Sequence, residues 1–167
     1  MINLFHGSNV AVQNPLVKVG RQKVDFGQGF YVSKLREQAV SWAQTIASRT
    51  RNGRAFLNCY EYDERKAMEL AGSRYKVFAA YDIEWLDYVV DCRRGGTMQD
   101  AYDVVEGGVA NDNVIDTVED YENGVITAAQ ALGQLAYKKV NHQICIRSQV
   151  VLGACLKYIG TEELERI

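Results

Sequence analysis

Imidazole and proline are scarce in this chain. Of its 167 residues one is proline, and only two, His6 and His142, are histidine. Chemistry that relays protons through several imidazoles is therefore disfavoured. The four cysteines, Cys59, Cys92, Cys145 and Cys155, form no C-x-x-C pair. Zinc sites ordinarily use close ligand pairs, so no metal is expected, and the thiols read as reduced and mostly buried. No apolar run approaches the ~18 residues of a membrane span, so no membrane association is expected. The residues from Met1 to His6 lack the basic segment, apolar run and cleavage site of a secretory leader, which makes cytoplasm the expected location. No charge of one sign dominates: 19 lysines and arginines face 21 aspartates and glutamates, a net charge of −2. Bulk electrostatics thus advertise no nucleic-acid groove. A G-x-S-x-G elbow and a Gly-Lys-Ser/Thr phosphate loop are both missing, which argues against a serine hydrolase and a P-loop enzyme.

What remains is ordinary globular material, 47% apolar and 24% charged. It carries no repeat or linker and is expected to form one domain over residues 1–167. Short strands are expected at 2–6, 30–32, 54–62, 75–80, 102–105 and 143–146. Helices are expected at 34–48, near 64–70, from Ile83 to before Gly95, over 113–122 and from a capping box at Thr127–Gln130; from Ser148 through Leu156 a helix is expected, with a strand as the alternative. The helix at 34–48 places Leu35, Ala39, Trp42, Ala43 and Ile46 on one apolar face. The segment 107–112 reads as turn-rich, with Asn111 and Asp112 bonding their own backbone, and Glu162–Glu165 reads as a solvated terminal turn. Helices and strands are mixed without regular alternation, which predicts an α+β fold. Gly27-Gln28-Gly29 lacks a third glycine and precedes a strand, so it is no dinucleotide fingerprint.

The segment from Leu4 through His6-Gly7-Ser8, followed by Phe26-Gly27-Gln28-Gly29-Phe30-Tyr31-Val32-Ser33, resembles the nicotinamide-binding half of the ADP-ribosyltransferase superfamily. It is similar to the histidine–tyrosine branch, which holds the diphtheria-type toxins and the poly(ADP-ribose) polymerases. More closely, the chain resembles an uncharacterised bacterial family of compact proteins placed in that superfamily. The shared features run on through Trp42-Ala43, Glu84–Asp87, Tyr102–Asp112 and Asn141–Cys145, so the likeness spans about residues 3–158. It implies two small, mostly antiparallel sheets flanked by helices and enclosing an NAD cleft. The implied reaction is mono-ADP-ribosyl transfer from NAD to a protein or nucleic-acid acceptor, with release of nicotinamide. It further implies a toxin or regulator, with a small protein partner such as an antitoxin.

By this resemblance His6 bonds a ribose hydroxyl, and Gly7 offers its backbone N–H and C=O to the nicotinamide carboxamide where a side chain would obstruct. Ser8 belongs to the same cofactor-binding strand end. Tyr31 and Trp42 sandwich the nicotinamide ring. The third signature position, ordinarily glutamate, is Gln143, whose amide accepts a hydrogen bond but cannot act as a base. Three consequences are open. Gln143 suffices for transfer to a good nucleophile, Glu106 or Asp103 supplies the charge, or the domain binds NAD without efficient catalysis. Ala39 stands where the polymerase branch often has a carboxamide-bonding serine. Lys18, Arg21 and Lys23 form a basic loop, either solvated or facing the NAD diphosphate. His142 is expected to be exposed or structural. Rival functions are an inert interaction module, a transferase acting on phosphorylated RNA ends, and an NAD hydrolase.

Overall fold

The computed structural model describes residues 1–111 and 114–166. Seven strands and six α-helices form among them. The strands make two open sheets. The first has the order β1-β3-β7, with β1 Ile2–Ser8, β3 Ala55–Tyr62 and β7 Leu156–Leu164, all antiparallel. The second has the order β2-β6-β5-β4, with β2 Phe30–Val32, β6 His142–Ile146, β5 Val104–Gly108 and β4 Tyr75–Val77; only β4 and β5 run parallel. The expected α+β class and the mostly antiparallel sheets are both present.

Alternation along the second sheet splits the core in two. Phe30, Val32, Val104, Ile144 and Ile146 face Leu4, Tyr60 and Tyr62 of the first sheet. The opposite face, with Val105 and Cys145, packs under α3 Ile83–Arg93, α4 Ile115–Glu122 and α5 Ala128–Leu135. The expected box at Thr127 is formed: its hydroxyl accepts from Gln130 N–H at 3.2 Å, and its own N–H donates to Gln130 Oε1 at 2.8 Å. The expected helix at 113–122 appears as α4 from Ile115, and the expected Asn111-Asp112 turn lies partly outside the described residues.

The strand expected at 102–105 is β5 Val104–Gly108, so Gly107 and Gly108, expected in a turn, pair with Gln143 and His142 instead. Two further expectations need correction. Residues Glu162–Glu165 are not a terminal turn. Glu162, Glu163 and Leu164 end strand β7, and the helix before it, α6 Gln149–Cys155, stops where β7 begins. Glutamates are depleted in strands, so propensity hides this one. It is an edge strand. Glu162 and Glu163, adjacent and so on opposite faces of it, are both exposed and pair with Arg36 at 2.7 Å and Arg54 at 2.6 Å. The second correction concerns α1 Arg36–Ser48. Its buried stripe is Ala39, Ala43 and Ala47, while Leu35 and Trp42 stay exposed. Small residues let this helix approach β1 closely and leave the larger apolar side chains on its flank.

Candidate functional site

The two sheets are joined at one point. Phe5 N–H donates to Ser33 C=O at 2.9 Å, and Ser33 N–H returns the bond to Phe5 at 2.8 Å. The next antiparallel step would pair Gly7 with Tyr31, but pairing ends first. The Tyr31 carbonyl is taken instead by the His6 ring, whose Nδ1 donates to it at 2.7 Å. By strand alternation the Gly7 N–H and C=O lie on the same edge as those of Phe5, the edge where the sheets part.

A cleft of about 840 Å³ opens there. His6, Gly7, Ser8, Tyr31, Trp42 and Gln143 all line it. The structure therefore brings together six residues drawn from β1, β2, α1 and β6.

A carbonyl can only accept, so the His6 proton sits on Nδ1. Burial against Phe30, with ring centroids 4.5 Å apart, lowers the His6 pKa, and the hydrogen bond to Tyr31 opposes that only in part. The ring is thus neutral at physiological pH, and its Nε2 presents a lone pair.

Tyr31 is held at both ends. Its hydroxyl donates to Gly27 C=O at 2.6 Å and accepts from Phe26 N–H at 3.1 Å. Its ring lies parallel to Phe26 at 6.4 Å between centroids. Burial, reinforced by the Cys145 thiol beside it, raises the phenol pKa well above its ordinary value, so the hydroxyl is not an acid or base at neutral pH. Gly27 sits at φ +81°, the left-handed region that favours glycine. The Phe-Gly-x-Gly-φ-Tyr pattern thus describes a loop that ties itself shut.

Gly7 has a different reason from the one expected. A Cβ there would meet the Ala39 carbonyl oxygen at 2.0 Å and the Ala43 nitrogen at 2.8 Å, both backbone atoms of α1. Helix packing, before any ligand, excludes a side chain.

Trp42 lies on the other wall, 39% exposed. The Arg49 guanidinium sits 5.3 Å from the centre of its ring. Gln143 opposes Gly107 in the β5–β6 ladder and shares a face with Cys145 and Tyr31. No side-chain hydrogen bond engages its amide among the described residues.

The alternative carboxylates lie elsewhere. Glu106 opposes Ile144 and so points from the other face of the sheet, where it binds Lys34 at 2.7 Å. Asp103 pairs with Arg74 at 3.0 Å. Neither lines the cleft, so neither supplies its charge. Of the basic loop, Arg21 lines the cleft and Lys18 and Lys23 do not. His142 points away from Gln143, opposite Gly108, and is not part of the cleft.

Sequence reasoning missed three contributors. Asp25 is 9% exposed and lines the cleft. Its Oδ1 accepts from Arg93 Nη1 at 2.9 Å, and its Oδ2 from Ala110 N–H at 2.7 Å. Gln38 Oε1 accepts from the Ser33 hydroxyl at 3.0 Å, while its Nε2 is buried without a partner. Arg49 has no carboxylate partner among the described residues. No periodicity marks these positions: Asp25 meets partners 68 and 85 residues away, and Gln38 and Arg49 are polar positions on or beside α1 that read as solvated.

The wall at 108–110 is anchored from α3 and the turn that leads into it. Trp85 Nε1 donates to Gly108 C=O at 2.7 Å, and the Tyr81 hydroxyl donates to Val109 C=O at 3.0 Å. Among the described residues no helix is long and apolar enough to cross a membrane, and no group of three His, Cys, Asp or Glu could hold a metal ion.

The family described as a protein of unknown function (DUF3990) matches residues 2–158. No curated protein and no solved structure matches the chain.

Proposed function

We propose that this chain, which belongs to the DUF3990 family, is an NAD-dependent mono-ADP-ribosyltransferase. In this reading it binds NAD between its two sheets and transfers one ADP-ribose to a macromolecular acceptor, with release of nicotinamide. The observation that carries the reading is the convergence of His6, Gly7, Ser8, Tyr31, Trp42 and Gln143 on one cleft. The two mostly antiparallel sheets around that cleft agree with an ADP-ribosyltransferase-like fold.

The residues present fit a dinucleotide. The cleft volume of about 840 Å³ lies within the roughly 300–1,000 Å³ of ordinary ligand pockets. The bare His6 Nε2 accepts from a ribose hydroxyl. The Gly7 edge offers an N–H and a C=O to a carboxamide, and the orphaned Gln38 Nε2 is a second donor at the same wall. Tyr31 and Trp42 supply aromatic faces for the nicotinamide ring. Arg21 and Arg49, neither with a carboxylate partner among the described residues, suit a diphosphate. The chemistry supplied by bound NAD is a good leaving group on an anomeric carbon. Orienting that bond is the work of the protein.

A second reading keeps NAD binding without efficient transfer. It is favoured by the amide at Gln143 in the position where a carboxylate would strengthen the ribose contact. Calorimetric titration of NAD into the protein and its Trp42→Ala variant, together with an assay of free nicotinamide, tests both. Stacking of ~0.5–1.5 kcal/mol predicts a two- to tenfold weaker Kd in the variant. No NAD binding by the native chain removes both readings. Binding without nicotinamide release in the presence of cell lysate leaves the second.

A further inference from the structure

The loop that leads into β2 is gripped from two sides. On the cleft side the Tyr31 hydroxyl serves Phe26 N–H and Gly27 C=O. On the other side two side chains take both backbone groups of Gln28. Its N–H donates to Gln99 Oε1 at 3.3 Å, and its C=O accepts from Arg147 Nε at 3.0 Å. The fit is close, since a Cβ at Gly27 would collide with that same Gln99 Oε1.

This outer grip stands where a strand ladder is missing. β2 pairs with β6 only through Phe30–Val32. Beyond Ile146 the backbone of β6 turns towards β5, and the N–H groups of Arg147 and Ser148 both donate to Asp103 C=O, at 2.8 and 3.2 Å. Gln28 is left without a strand partner, and the Arg147 side chain supplies one. The guanidinium also donates to Gln99 C=O, to Tyr102 C=O at 3.3 Å and to Gln99 Oε1 at 3.2 Å. All of these acceptors are neutral oxygens, and no carboxylate partners Arg147 among the described residues. The group is used for its shape: a planar fork meets such a set at once, and a lysine ammonium does not. Gln99, on the single turn Met98–Ala101, is fixed in turn by its Nε2 on Gly96 C=O at 2.9 Å.

Gln28 passes the constraint on. Its Nε2 donates to Lys18 C=O at 2.9 Å and to Gly20 C=O at 2.8 Å. Val19 and Gly20 line the mouth of the cleft, whereas Gln28, Gln99 and Arg147 do not. Gln28 thus ties the Tyr31 loop by its backbone and the 18–20 rim by its side chain.

We propose, resting on the NAD-binding reading, that Arg147 is a positioning residue of the cleft. Acting through Gln28, it sets where the Tyr31 loop and the 18–20 rim stand relative to each other, without touching a bound dinucleotide. Walls that are set in advance lose little entropy on binding. Once released, they must be ordered by the ligand, so affinity falls although every cleft residue is still present.

The test is calorimetric titration of NAD into the native chain, Arg147→Lys, Gln28→Ala, the double variant and Arg94→Ala. A urea melt confirms that each is folded under the titration conditions. Arg94 is the comparison, because its guanidinium also binds a backbone carbonyl, that of Glu122, but away from the cleft. Arg147→Lys should weaken Kd by about tenfold, and Gln28→Ala by about threefold. The double variant should fall short of the product of the two, because both act through one residue, while Arg94→Ala should bind within about twofold of native.

Native affinity in Arg147→Lys or in Gln28→Ala overturns the proposal. So does equal weakening in Arg94→Ala, or a double variant in which the two effects simply multiply. If Arg147→Lys does not fold, Gln28→Ala and Arg94→Ala decide, since Gln28→Ala keeps both backbone bonds of residue 28. Failure of the native chain to bind NAD defeats the underlying reading instead.

Discussion

On one side of the cleft, the Tyr31 hydroxyl closes the loop that carries it, Asp25 ties that loop to Arg93 and Ala110, and Trp85 and Tyr81 hold residues 108 and 109. On the other side, Trp42 touches Arg49 and stands 39% exposed on a helix whose buried stripe is alanine. The first wall is fixed by groups that satisfy one another before any ligand arrives. The second is fixed as a backbone, through α1, while its larger side chains remain uncommitted. Pre-organised polar groups lose little entropy on binding, and an uncommitted aromatic can close over a flat ring. The difference divides the motif residues into those that build the site and those left to contact its occupant.

The sharpest way to break this division is at the joint between the walls. Gly7→Ala puts a methyl 2.0 Å from the Ala39 carbonyl oxygen. Backbone cannot yield as a flexible side chain can, so α1 must move off β1. Overpacking typically costs ~1–3 kcal/mol, and this contact belongs at or above the upper end. Chemical denaturation should show that loss with no NAD present. A variant as stable as the native chain would return Gly7 to a purely ligand-facing role.

Tyr31→Phe is the next largest effect. It removes the hydroxyl that serves Gly27 C=O and Phe26 N–H but keeps the ring. Leaving partly buried backbone groups unpaired costs ~1–3 kcal/mol. Trp42→Ala, on the other wall, should stay within about 0.5 kcal/mol of native stability. Thermal or urea melts of the two variants side by side give the contrast directly. Equal losses would show that the walls are not built on different plans.

The same division explains what the sequence could show. Local signals were readable: the box at Thr127, the helical spacing through Trp85, and the strand that carries His6, though it runs on to Ser8. The resemblance located six cleft residues because each sits in a short pattern. Asp25 escaped, since its partners Arg93 and Ala110 lie 68 and 85 residues away. Strand β7 escaped because Glu162 and Glu163 read as solvated, and they are solvated, on an edge whose backbone still pairs with β3. The reason for Gly7 escaped because a glycine looks the same whether a ligand or a helix needs its space. Pattern shows which residue types occur together. It does not show which neighbour each one answers to.

His6 belongs to both walls, and its titration gives the smallest effect. Its folded pKa is lowered from 6.5 by burial, with the Tyr31 carbonyl opposing in part. Below pH 6.5 the unfolded chain therefore takes up a proton that the folded chain refuses. Stability contributed by the neutral ring is fully present above that pH. It declines as the pH falls from 6.5 towards the folded value, by at most about 1.4 kcal/mol per pH unit, and levels off below it. Urea melts across that window, for the native chain and for His6→Gln, isolate the term as the difference between the two slopes. The native chain should lose stability more steeply towards acid than the variant. Parallel slopes would mean that the ring is free to ionise in the folded state, and the bare Nε2 assigned to a ribose hydroxyl would lose its basis.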